Sequence, residues 1–77
     1  MSYNNLNYLK EVKHVQKLTQ EKFDEYVYIS YTEIHRILQK EGNFFKSYRT
    51  FLKYVSEPKI NERIIEEEKR LKNLGDK

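Results

Sequence analysis

The sequence predicts an all-α protein, a small bundle of four or five helices, on three observations. Apolar residues recur at helical rather than strand spacing through most of the 77 residues. The only backbone breakers are Gly42, Pro58 and Gly75, and one four-residue segment has the form of a helix capping box. A chain of this length builds one hydrophobic core that buries about 60% of its unfolded surface. No repeat or Gly/Ser linker divides it, so residues 1–77 form one expected domain, with flexible ends at 1–4 and 75–77.

The first helix is predicted from about Asn5 to Leu18, with Leu9, Val12 and Val15 as its apolar stripe and Leu6, Tyr8 and Leu18 flanking it. Lys10, Lys13 and Lys17 fall on the polar side, as a solvated face would. Thr19 is placed to cap a short second helix over Gln20–Asp24. Tyr26-Val27-Tyr28-Ile29 is a run of strand-favouring residues with no obvious partner. It predicts an extended link that packs Val27 and Ile29 inward, with at most one very short strand near 27–29.

Ser30-Tyr31-Thr32-Glu33 reads as a capping box, because Ser30 can accept from the Glu33 backbone while Glu33 reaches back to Ser30. It opens a helix over about 31–41 with Tyr31, Ile34, Ile37 and Leu38 on its apolar side, ended by Gly42 at a left-handed position. Phe44, Tyr48, Phe51, Leu52 and Val55 then recur at i, i+4, i+7, i+8 and i+11, which predicts a helix over about 44–55. Ser56 and Pro58 stop it and begin a last helix over about Glu57–Leu74. The expected core is Leu9, Val12, Val15, Ile34, Leu38, Tyr48, Phe51, Leu52 and Val55. Ile60, Ile64, Leu71 and Leu74 share one side of the last helix, where they either fold back on their own domain or join two copies as a homodimer.

Composition narrows the function classes. Without cysteine there is neither a disulfide nor a thiolate zinc site to support so small a core, which leaves oligomerisation or target binding. The lack of cysteine suits a reducing compartment, and no stretch approaches the ~20 apolar residues of a membrane span, so a cytoplasmic location and no membrane are expected. Lys, Tyr, Asn and Ile are abundant while Ala and Trp are missing, as AT-rich codons dictate in a low-GC bacterium, phage or plasmid.

Catalysis requires converging groups, and none stands out. His14 and His35 lie on different predicted helices and read as surface or boundary residues. Glu66, Glu67 and Glu68 fan through about 200 degrees of helix rather than meeting at one ion. Lys69, Arg70 and Lys72 compensate them. No enzyme, cofactor or metal is expected.

The net charge of +3 is unevenly spread. From Ile34 to Val55, Arg36, Lys40, Lys46, Arg49 and Lys53 face only Glu41, whereas after Ser56 six bases meet six acids. This basic middle coincides with the predicted pair of helices at 31–41 and 44–55, joined at a glycine. It resembles the general helix-turn-helix pattern over about a third of the chain. Asn43 stands where a small aliphatic residue usually follows the glycine, and the first helix lacks the small residue that permits close crossing. The resemblance implies that the second helix enters the major groove. The expected partner is double-stranded DNA, contacted by Asn43, Lys46, Ser47, Arg49, Thr50 and Lys53. Arg49 is the candidate base reader because a guanidinium bonds two guanine acceptors at once. The expected role is that of a transcriptional or mobile-element regulator. An alternative is a helical inhibitor or adaptor that binds a protein target, since aromatic residues are also enriched at interfaces. Single-stranded nucleic acid stacked on Tyr3, Tyr28 or Tyr54 ranks third.

Overall fold

The computed structural model describes residues 4–75, and side chains over 5–73. Four helices make up the fold: α1 (Asn4–Glu25), α2 (Tyr31–Lys40), α3 (Tyr48–Ser56) and α4 (Ile60–Gly75). Of the ends expected to be flexible, Asn4 and Gly75 are the terminal residues of α1 and α4. Met1, Ser2, Tyr3, Asp76 and Lys77 lie outside the described residues.

The two helices expected before residue 25 are one. Thr19 is no cap: it sits buried within α1, and its hydroxyl donates to the Val15 carbonyl at 2.8 Å, one turn back. That bond satisfies the hydroxyl inside the core, so nothing interrupts the ladder. After α1 the link over 26–30 contains no strand, and no strand occurs among the described residues. Ile29 packs partly inward as expected, but Val27 is 88% exposed and Tyr28 94%. With no neighbouring strand to pair with, the β-favouring run has no way to satisfy its backbone as a sheet.

Local signals set both ends of α2. The Glu33 amide donates to Ser30 Oγ at 3.2 Å and the Ser30 amide to Glu33 Oε1 at 3.1 Å, the two bonds of a capping box. At the other end Gly42 takes φ +77°, its amide donating to Gln39 O while the Asn43 amide reaches Leu38 O at 2.9 Å. This Schellman pair uses two of the carbonyls that the helix end leaves open.

α3 begins four residues later than the apolar spacing predicts. Ser47 is its N-cap, accepting from the Thr50 amide at 3.2 Å, so Phe44 belongs to the preceding link although it is still buried. Phe51 and Tyr54 form the inward face of α3, with Val55 partly buried. Tyr48 and Leu52, expected in the core, are each 36% exposed. The helix is rotated toward Tyr54 because that ring has partners on α1 and in the link: Tyr8 and Phe44, with centroids 5.5 and 5.9 Å away. Gln16 of α1 donates to the carbonyls of Tyr54 (2.9 Å) and Glu57 (3.0 Å), supplying from another helix the partners that the end of α3 lacks.

Pro58 lies between α3 and α4 rather than in a first turn, and α4 starts at Ile60. α4 packs on the N-terminal half of α1, where Ile60 and Ile64 are buried in the chain's own core. The half of the stripe considered for dimerisation that lies at Ile60 and Ile64 is thus covered within one copy. Leu71 is half-buried, and the Leu74 side chain lies outside the described residues. α3 also packs on α1, and α2 packs on α3. The core joins Leu9, Val12, Val15, Ile34, Leu38, Phe44, Phe51, Tyr54, Ile60 and Ile64. No helix among the described residues is long and apolar enough to cross a membrane.

Candidate nucleic-acid interface

Seven residues, 41–47, connect α2 to α3, more than a three-to-four-residue turn. The side chain of His35 ties this longer link down. His35, buried on α2, has its ring 5.7 Å from Phe44, 5.6 Å from Tyr48 and 5.5 Å from Phe51. Its Nε2 lies 2.8 Å from the Lys46 carbonyl. A carbonyl only accepts, so this nitrogen carries the proton and donates. Sequence spacing did not reveal that role. The only signal for it is that His35 directly follows Ile34 on a helix whose apolar side is broad.

The link determines which charges are free. Lys46, although exposed, is engaged: its ammonium donates to the Tyr54 hydroxyl at 3.2 Å, lies 3.3 Å from Glu11 Oε2 and sits 5.6 Å from the Tyr54 ring centre. The hydrogen bond to Tyr54, and then Glu11, hold its pKa above the ordinary lysine value. Glu41, the only acid between residues 34 and 55, is drawn onto Lys22 of α1 at 2.7 Å. Lys22, by its hydrogen bond, holds the Glu41 carboxyl below the usual carboxylate range. Asn43 donates to Glu41 at 3.2 Å. Ser47 and Thr50 bond each other at the start of α3, hydroxyl to hydroxyl at 3.1 Å.

Of the six residues expected to contact DNA, four therefore have intramolecular partners: Asn43, Lys46, Ser47 and Thr50. Arg49 and Lys53 remain, one turn apart on the exposed side of α3, with no ion pair among the described residues. Arg36 and Lys40 repeat the arrangement on the exposed side of α2, again with no ion pair among the described residues. These two were not singled out as contacts, although their position opposite Ile34 and Leu38 could have shown them. The segment's five bases less Lys46 leave four cations, while its one acid is neutralised by Lys22, so the local excess of +4 persists on two packed helices.

No group of three or more potential metal-ligating side chains occurs among the described residues. A shallow groove between α1, α2 and α3 is lined by Gln16, Thr19, Gln20, Phe23, Tyr31 and Val55. Its two amides and the Thr19 hydroxyl are already bonded: Gln16 to the end of α3, Thr19 to Val15, and Gln20 to Asp24 at 3.1 Å. No protein-family model, no curated protein and no solved structure matches the chain.

Proposed function

We propose that this chain is a small DNA-binding protein that lays the outer faces of α2 and α3 against duplex DNA. The observation that carries the reading is the set of four cations, Arg36, Lys40, Arg49 and Lys53, exposed on two adjacent helices and free of ion pairs among the described residues. Arg49 is the residue suited to a base edge, because its fork bonds two guanine acceptors. The other three are suited to phosphates. Lys46, bonded to Tyr54 and paired with Glu11, then fixes the link that orients α3. Such a protein would act in the cytoplasm, as a regulator of transcription or of a mobile element. Electrophoretic titration with bulk duplex DNA at two salt concentrations tests it. Binding that weakens steeply with salt supports the reading, and failure to shift duplex at low salt removes it.

A second reading, a helical module that binds a protein, is favoured by Val27, Tyr28 and Phe45, which are 88%, 94% and 79% exposed. Val27 and Tyr28 are adjacent in the link over 26–30, and contiguous exposed apolar side chains mark protein contacts. Substituting Val27 and Tyr28 by serine separates the readings, since DNA binding through α2 and α3 does not involve them.

A further inference from the structure

A second set of unpaired cations lies on the other side of the molecule. Lys10, Lys13 and Lys17 are exposed on α1 at i, i+3 and i+7, with exposed His14 beside them. They span about 10 Å of helix. None has an ion pair among the described residues. The only acid between residues 4 and 20 is Glu11, and it is turned to Lys46. Glu21 and Asp24 lie beyond the C-terminal end of the row.

Like charges one turn apart destabilise a helix by a few tenths of a kcal/mol per pair. Helix α4 avoids this by mixing signs, with Arg70 paired to Glu67. The first two thirds of α1 do not. Nor is the row covered, because α3 and α4 pack on the side of α1 that buries Leu9, Val12 and Val15.

The two basic faces point in opposite directions. α3 meets α1 through the side that carries Phe51 and Tyr54, and Arg49 and Lys53 each lie two residues from Phe51, about 160–200 degrees around the helix. They point away from α1, just as the α1 lysines point away from α3. The body between them measures 21 × 18 Å across its short axes. Two phosphate surfaces held on either side are thus more than two Debye lengths apart at physiological salt, where that length is about 8 Å, and their mutual repulsion is screened.

We propose that Lys10, Lys13 and Lys17 form a second phosphate-binding face, so that one molecule bridges two segments of duplex DNA, one on α1 and one on the α2–α3 pair. The proposal rests on the DNA-binding reading above. It is tested by immobilising one duplex, adding the full chain, and measuring capture of a second, fluorescent duplex of different sequence. A gel titration of single duplex with the same proteins runs alongside. The parent captures the second duplex. The variant K10Q/K13Q/K17Q, which changes only exposed side chains, still shifts a single duplex but loses capture by about tenfold or more. With three phosphate contacts, capture by the parent falls about 40-fold between 50 and 200 mM salt beyond the loss in single-duplex binding. Capture by the triple variant equal to that of the parent overturns the bridging proposal while leaving DNA binding intact. Flotation of the parent with phosphatidylglycerol vesicles, lost in the triple variant and unaccompanied by second-duplex capture, also overturns it, assigning the row to a lipid surface. Absence of any single-duplex shift by the parent defeats the DNA reading itself.

Discussion

The ring of His35 joins the middle of α2 to the main chain just before α3, its Nε2 lying 2.8 Å from the carbonyl oxygen of Lys46. Phenylalanine at this position keeps the aromatic contacts with Phe44, Tyr48 and Phe51 but cannot donate. His35→Phe is expected to lower stability by about 1 kcal/mol, the usual net worth of one such bond where the carbonyl retains some access to water. Urea denaturation measures it. An unchanged midpoint would show that ring packing alone anchors the link.

Phe51 is fully buried while Leu52, its neighbour, is 36% exposed, so the two distinguish the observed rotation of α3 from the one that the apolar spacing suggests. Phe51→Ala is expected to cost about 3–5 kcal/mol, close to the whole stability of so small a domain. Leu52→Ala should cost much less. Thermal melts that rank Leu52→Ala as the more damaging change would contradict the packing described here.

Two positive φ angles predict opposite responses. Gly42 has φ +77°, and an added Cβ would meet only Phe45 Cζ at 3.8 Å, so Gly42→Ala carries conformational strain without a clash. It should destabilise by about 1–2 kcal/mol. Lys59 has φ 52° with a side chain that gains nothing from that conformation, while its carbonyl accepts from Arg63 at the start of α4. Lys59→Gly should stabilise by up to about 1 kcal/mol, raising Tm by roughly 4–8 °C. A lower Tm for the Lys59 variant would count against the backbone geometry before α4.

The Lys22–Glu41 pair gives a pH dependence. The carboxyl of Glu41 is held below its ordinary value of 4.5, so its contribution is present above that pH and is lost as pH falls through the lower folded value. Lys22 is raised above 10.5 by its hydrogen bond to Glu41, so its contribution is complete below 10.5 and lost only at more alkaline pH. The effect is small, since the Glu41 side chain is 40% exposed and water screens the pair. Lys22→Gln should flatten the acid side of the stability profile without moving its neutral plateau far, as read from melts between pH 3 and 7. A profile identical to that of the parent would show that the pair contributes nothing.

For DNA, the free and the engaged cations should separate. Lys40→Ala and Lys53→Ala should weaken binding to all sequences and make the salt dependence shallower by about one unit per lost phosphate contact. Arg49→Ala should cost about 1–3 kcal/mol, mainly on a preferred sequence. Lys46→Ala should lower Tm as well as affinity, because Lys46 is bonded to Tyr54 and paired with Glu11. Lys69→Ala and Lys72→Ala on α4 serve as controls, and binding losses there that exceed those at Lys40 and Lys53 would sink the interface.

What the sequence determined by itself is whatever forms within a few residues. Ser30 and Glu33 cap α2, Gly42 ends it, and the periodic Leu9, Val12 and Val15 face the core, because these bonds and contacts close inside one or two helical turns. The charge excess of the middle segment was legible for the same reason. The tertiary structure alone decided the rest. Thr19 has a hydroxyl able either to cap a helix or to bond one turn back, and burial of α1 selected the second. The apolar residues from Phe44 to Val55 allow more than one rotation of α3. Tyr54 rather than Leu52 turned inward because Tyr8, 46 positions earlier, and Lys46 offer its ring and hydroxyl partners that no local pattern records. Lys46 is paired although exposed because Glu11 lies beside it in space, and Ile60 and Ile64 entered the core because α4 returns along α1. Each of those outcomes depends on residues far apart in the chain competing for one position, and only folding brings the competitors together.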